Sequence, residues 1–215
     1  SASTGVRYQV RLQCLSQNAG GVCNNPRTCA TPPDSLRYDV LRSEGGGPFL
    51  KVGEVCLTND EAAQLGVITT AMVLREFRRL AWPTSPLVVQ PPGGRTLVNF
   101  ETNFSTTNTD PSTRTVVLLG QQVEIEATPT SWVWHFGDGE SQTTRTPGAL
   151  YPDLAVTHTY LDADVVETPR VDTVYSGRYR INGGPWQQIP ETLTVPGEAV
   201  ELEVVEAQPV LVGSD

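Results

Sequence analysis

The chain has one lysine, one methionine and two histidines in 215 residues. Its positive charge is almost all arginine, 14 residues beside the single Lys51, a bias usual in proteins of high-GC bacterial genomes. Cysteine is absent after residue 56. No apolar run approaches the length of a membrane span, so no membrane insertion is expected. The net charge of −9 makes the chain a poor candidate for nucleic acid or anionic membranes, so neither is expected as a partner. Catalytic signatures are missing too: there is no G-x-S-x-G, no H-E-x-x-H and no phosphate-binding glycine loop. Glu124 with Glu126 and Glu201 with Glu203 are carboxylate pairs, but each pair alternates along a strand as solvent-facing residues do. The chain is therefore expected not to be an enzyme.

Turn formers are plentiful. With 19 glycines, 17 prolines and 38% hydrophobic residues, the composition suits a soluble protein of many short strands. The chain opens at Ser1, as a processed secreted form is expected to. Charge is unevenly spread: residues 1–83 hold nine basic and seven acidic side chains, residues 84–215 six and seventeen. A bipolar molecule could meet copies of itself end to end; a solvated surface explains the same numbers.

All four cysteines, Cys14, Cys23, Cys29 and Cys56, fall in the first quarter. An even number in one small module points to two disulfides and an oxidising compartment. Zinc is disfavoured, since there is no C-x-x-C and no histidine nearby. Three connectivities are possible. Cys14–Cys56 with Cys23–Cys29 is the expected one, because the inner pair closes a short loop and the outer pair ties an early strand to a later one. Arg7–Leu12, Arg37–Arg42 and Phe49–Leu57 alternate as half-buried strands, with Gly45-Gly46-Gly47-Pro48 turning the last two into a hairpin. Thr58 and Glu61 form a capping box for a short helix ending at Gly66. A second helix is expected from after Thr69 to Leu80, with Val73, Phe77 and Leu80 inward. Arg75, Arg78 and Arg79 lie on its outer side. That basic face reads better as a solvated surface than as an anion site.

From Leu87 onward the pattern is all β. Expected strands are Leu87–Gln90, Thr96–Thr102, Thr115–Leu119, Val123–Ala127, Ser131–Phe136, Val156–Tyr160, Thr173–Ile181, Trp186–Ile189 and Ala199–Glu206. Trp132, Trp134 and Phe136 share a strand face. Gly137 and Gly139 permit turn dihedrals, and Asp138 can accept turn amides. His158 is placed to bridge to that turn, and Tyr160 to pack inward with its hydroxyl on backbone. His135 points away from the Trp134 face.

Trp134-x-Phe136-Gly137-Asp138-Gly139, followed by His158-Thr159-Tyr160 and then Gly177-x-Tyr179-x-Ile181, resembles the PKD domain over about residues 85–207. The resemblance implies an immunoglobulin-like β-sandwich, common on secreted and cell-surface proteins. Leu161–Ser176 is a long insertion relative to a minimal PKD domain. The whole chain is similar to small secreted actinobacterial proteins that place such a domain behind a cysteine-containing head.

The expected architecture is mainly β. A disulfide-containing β module with two short helices (residues 1–83) precedes a PKD-like β-sandwich (residues 84–215). The expected role is non-catalytic binding or adhesion at the cell surface, towards an extracellular protein or polysaccharide. Alternatives are a self-assembling subunit of an appendage or surface layer, and an enzyme accessory domain. No cofactor is expected. Ca²⁺ is the alternative, with Asp162 and Asp164 as candidate ligands because hard oxygens in irregular backbone suit it; no D-x-D-x-D-G loop supports it. Asn103-Phe104-Ser105 is an N-glycosylation sequon.

Overall fold

The computed structural model describes residues 5–17 and 23–207. In chain order the elements are β1 (Val6–Leu12), β2 (Cys14–Gln17), β3 (Cys23–Pro26), β4 (Leu36–Glu44) and β5 (Leu50–Leu57). Two helices follow, α1 (Asn59–Gln64) and α2 (Thr70–Arg79). The next strands are β6 (Val88–Gln90), β7 (Arg95–Leu97), β8 (Glu101–Ser105), β9 (Ser112–Leu118), β10 (Gln121–His135) and β11 (Ser141–Thr144). The last are β12 (Thr157–Thr159), β13 (Val165–Glu167), β14 (Arg170–Ile181), β15 (Gln187–Val195) and β16 (Leu202–Val205). The protein is mainly β.

The chain divides into two compact units that are discontinuous in sequence, whereas the sequence alone suggested one cut after residue 83. The first unit holds Ser1–Leu80, Thr113–Glu126 and Gly177–Glu191; the second holds Ala81–Ser112, Ala127–Ser176 and Thr192–Asp215.

In the first unit β1, β4 and β5 form an antiparallel sheet in the order β1-β4-β5, with Val10 opposite Val40 and Tyr38 opposite Val55. Gly45 and Gly46 have positive φ and make the β4–β5 turn. The capping box at α1 is complete: the Thr58 hydroxyl accepts from the Glu61 amide, and the Glu61 carboxylate accepts from the Thr58 amide at 2.8 Å. Tyr38, Leu57 and Ala62 form one buried cluster, with Val10, Leu12 and Val67 against it. On α2, Val73 and Phe77 are fully buried. Glu76 is buried as well and pairs with Arg79 at 2.6 Å.

The expected cysteine pairing is corrected. Cys29 is bonded to Cys56, and Cys14 is disulfide-bonded elsewhere, so neither Cys14–Cys56 nor Cys23–Cys29 forms. The reason is strand register. Thr28 bridges Leu36, the Cys29 amide donates to the Ser35 carbonyl at 3.0 Å, and Arg37 faces Cys56. That brings Cys29 beside Cys56, with Cα atoms 6.2 Å apart, inside the range a disulfide spans. The segment between Cys14 and Cys29 also contains β2 and β3, which pair with each other.

The second unit contains two three-stranded sheets, ordered β12-β8-β6 and β13-β16-β7. β11 pairs antiparallel with the end of β10, Trp132 opposite Thr144 and His135 opposite Ser141. Phe104 of β8, Trp132 and Trp134 of β10, Val171 of β14, and Leu202 and Val204 of β16 meet in one buried cluster with Phe136, Val156 and Tyr160. Side chains from several sheets filling one core are the mark of a sandwich.

Three segments differ from expectation. Val123–Ala127 and Ser131–Phe136 are one 15-residue strand, β10. Buried positions fall on odd residues from Val123 to Pro129 and on even ones at Trp132 and Trp134, so the alternation slips once near Thr130. Such a slip re-aims a strand without ending it. Thr96–Thr102 breaks instead into β7 and β8 around Asn99, at φ 59°. Leu161–Ser176, read from the sequence as a long insertion, holds β13, which pairs with β16, and the start of β14.

Gly197 tests the packing of the second unit. A Cβ there would lie 2.1 Å from the Val171 carbonyl oxygen, and backbone cannot yield to it cheaply. Gly197→Ala is expected to destabilise the protein by roughly 2–4 kcal/mol, near the top of the usual single-substitution range. Thermal denaturation followed by circular dichroism checks this; an unchanged melting temperature contradicts the packing described.

Candidate functional site

Strand β10 delivers Trp132 and Trp134 to the buried face, and the chain continues through Phe136 into the Gly137–Gly139 turn. Trp132, Trp134 and Phe136 are all buried. The Trp134 indole donates to the Thr144 hydroxyl at 2.9 Å, which ties β10 to β11. Gly137 has φ 103°, and a Cβ there would lie 2.6 Å from the Thr168 amide nitrogen. The turn therefore needs glycine for both conformation and space.

Asp138 closes the turn. Its Oδ1 accepts from the Glu140 amide at 3.0 Å, and its Oδ2 pairs with His158 Nε2 at 2.6 Å. The His158 side chain is 8% exposed. Its ring stacks on Phe136 with centroids 4.1 Å apart and planes 2° off parallel, and meets Tyr160 edge-on at 4.8 Å. The Tyr160 hydroxyl donates to the Phe136 carbonyl at 2.8 Å. Burial pushes the Tyr160 phenol far above its usual range, with the Asp138 and Glu167 carboxylates adding to the effect. The Asp138 carboxylate, His158 Nε2 and the Tyr160 hydroxyl are each bonded to another part of this cluster. The arrangement holds a strand end, a turn and an incoming strand together.

His135 lies on the other face of β10 and has a carboxylate partner there. Its Nε2 lies 3.0 Å from Asp172 Oδ2, and Arg170 Nε lies 3.0 Å from Asp172 Oδ1. Burial of Asp172 opposes ionisation, but hydrogen bonds from Arg170 and the Gly197 amide outweigh it and hold the carboxyl below its usual range. Asp172 thereby anchors β14 to the chain at Gly197. In the first unit, Glu124 and Glu126 are not the solvent-facing pair read from the strand pattern. They bind Arg180 and Arg178, each at 2.6 Å. Both guanidinium groups lie over the Trp186 ring, 4.7 and 4.5 Å from its centroid.

Asp164 is at φ 59°, and its amide donates to the Val204 carbonyl. Among the described residues no three histidine, cysteine or carboxylate side chains, Asp162 and Asp164 included, converge as a metal site. The sequon is buried: Asn103, Phe104 and Ser105 all lie inside, and Asn103 Nδ2 donates to Gln90 Oε1 and the Ala149 carbonyl at 3.0 and 2.8 Å. A glycan could not be attached to that nitrogen in the folded state.

The feature most like a ligand site was not found by reading motifs. In the second unit a groove of about 600 Å³ is lined by Gln90, Pro91, Phe100, Glu101, Asn103 and Tyr151, among others. That volume lies within the ~300–1,000 Å³ typical of ligand sites. Tyr151 is 74% exposed and Phe100 47%. Sequence held only an indirect signal, the Pro91-Pro92 and Tyr151-Pro152 steps that stiffen two loops; that those loops meet is a tertiary fact.

Residues 106–164 match the family model of the PKD domain. The chain carries a PKD domain. Its matched span contains the turn, His158 and Tyr160, and it includes Tyr151 but not Gln90 or Phe100. No curated protein and no solved structure matches the chain. PKD domains are immunoglobulin-like sandwiches often found in surface proteins, and an extracellular setting fits both the domain and the Cys29–Cys56 disulfide.

Two substitutions probe the cluster. Trp134→Ala is expected to cost about 3–5 kcal/mol through lost burial and a cavity, read from the urea midpoint. Tyr160→Phe leaves the buried Phe136 carbonyl unpaired and is expected to cost about 1–3 kcal/mol. It also removes a pH dependence. Tyr160 stays protonated in the folded protein while the unfolded chain ionises, so its contribution is complete below about pH 10 and lost as pH rises above it. Tyr160→Phe should flatten the alkaline fall in stability; a fall as steep as in the parent contradicts the assignment.

Proposed function

We propose that the protein is a non-catalytic binding module working outside the cell, where it holds an extracellular polysaccharide or protein at a surface. One contrast carries the reading. Asp138, His158 Nε2 and the Tyr160 hydroxyl of the PKD motif are engaged in holding its turn and strands together, whereas the groove beside β6 and β8 leaves two aromatic side chains and polar ones facing outward. Exposed aromatic area on stiff backbone loses little conformational freedom when a partner arrives, which suits recognition. The sequence carries no G-x-S-x-G or H-E-x-x-H signature that would favour a catalytic reading. His135 is held against Asp172 and His158 against Asp138.

The test is co-sedimentation of purified protein with insoluble cellulose, chitin and peptidoglycan, alongside capture on immobilised collagen and fibronectin. Saturable retention on at least one of them, with no soluble fragments released, is expected. Retention on none overturns the binding reading, and release of fragments that stops in His135→Ala overturns the non-catalytic one.

A further inference from the structure

We propose that the groove between β6, the turn before β8 and the Tyr151 loop holds a neutral polysaccharide chain, with sugar rings stacked on Tyr151 and Phe100. The proposal rests on the binding-module reading and narrows it to one ligand class.

The wall comes first. Tyr151 and Phe100 are 74% and 47% exposed, and Leu154 stands beside them at 47%. All three line the one groove. A pyranose ring offers a face of C–H groups, which an aromatic face covers without having to satisfy any polar atom.

The floor supplies direction. Gln90 is pinned by two bonds to its Oε1, from Asn103 Nδ2 at 3.0 Å and from the Tyr151 amide at 2.9 Å. Asn103 is in turn held by the Ala149 carbonyl at 2.8 Å and is buried. The Gln90 amide is thus locked by its oxygen, and its Nε2 donates to nothing among the described residues. A donor held this way loses little freedom on binding a hydroxyl. Glu101, also on the lining, is exposed and makes no ion pair among the described residues. Its two oxygens can accept from neighbouring hydroxyls of one sugar.

Charge selects the kind of sugar. Among the described residues no arginine or lysine lines the groove. The unit around it carries three arginines against fourteen carboxylate side chains. An anionic polysaccharide would meet repulsion and find no cation to offset its desolvation, so the ligand is uncharged. Backbone chemistry argues against a peptide strand. β6 is an edge strand, the natural place for strand addition, but Pro91 and Pro92 follow it immediately and bring no N–H to a ladder.

Isothermal titration with cellohexaose, chitohexaose, laminarihexaose and mannohexaose tests the proposal. A hexagalacturonate and a proline-rich decapeptide run in parallel. At least one neutral hexamer is expected to bind at millimolar concentration or below, and Tyr151→Ala and Phe100→Ala each to weaken it by about tenfold or more. Both variants should melt like the parent, because both rings are largely outside the core. Failure of every neutral hexamer to bind overturns the proposal. So does tighter binding of the uronate or the peptide, or sugar binding that survives both substitutions. If the parent is retained on collagen, fibronectin or peptidoglycan but binds no neutral hexamer, the sugar assignment fails and the binding-module reading stands. Retention on nothing, with no titration signal, sinks both.

Discussion

The second unit depends on the clasp at the end of β10. There Phe136 is covered by the His158 ring at 4.1 Å, while its carbonyl takes the Tyr160 hydroxyl and its neighbouring turn is locked by Asp138. Large apolar side chains drive this part of the core, at roughly 1.5–3 kcal/mol for each one fully buried. Hydrophobic burial is not directional, however. The clasp decides where β10 stops and where the strand after Val156 enters. It converts a collapsed aromatic cluster into one strand order, so that Phe104, Val171, Leu202 and Val204 arrive from other strands at the same core.

Polar interactions elsewhere follow the same division of labour. Buried carboxylates are anchors. Asp172 takes Arg170, His135 and the Gly197 amide, and Glu76 of α2 takes Arg79. Ion pairs nearer solvent, such as Arg95 with Glu203 at 2.7 Å, contribute ~0–1 kcal/mol each and set register more than stability. In the first unit the Glu124–Arg180 and Glu126–Arg178 pairs brace two guanidinium groups over Trp186. Polar chemistry here serves architecture. What remains facing outward near β6 and β8 is an aromatic surface beside a pinned amide.

Much of the fold was legible along the chain because the informative signals are local. The Thr58–Glu61 box needs only three residues of spacing, and α1 follows it. Trp132, Trp134 and Phe136 alternate, and they are buried together. The Gly137–Gly139 turn and the His158–Tyr160 strand could be paired from their order because the PKD domain fixes their relation. The cysteine pairing was not legible. Spacing leaves three connectivities open, and only the register of β4 against β5 sets Cys56 beside Cys29. The division into units was hidden for the same reason: residues 113–126 and 177–191 group with the first 80 residues through contacts distant in sequence.

The sequence by itself determined a mainly β chain, its helix caps, the aromatic face of β10 and the turn that ends it. Each depends on residues within a few positions of one another, where dihedral preference and side-chain period act directly. Only the tertiary structure decided that His135 faces Asp172, that the Asn103 sequon is buried, and that Gln90, Phe100 and Tyr151 line one groove. Those outcomes need residues separated by between about ten and sixty positions to meet. Strand register and loop packing govern such meetings, and no local pattern encodes them.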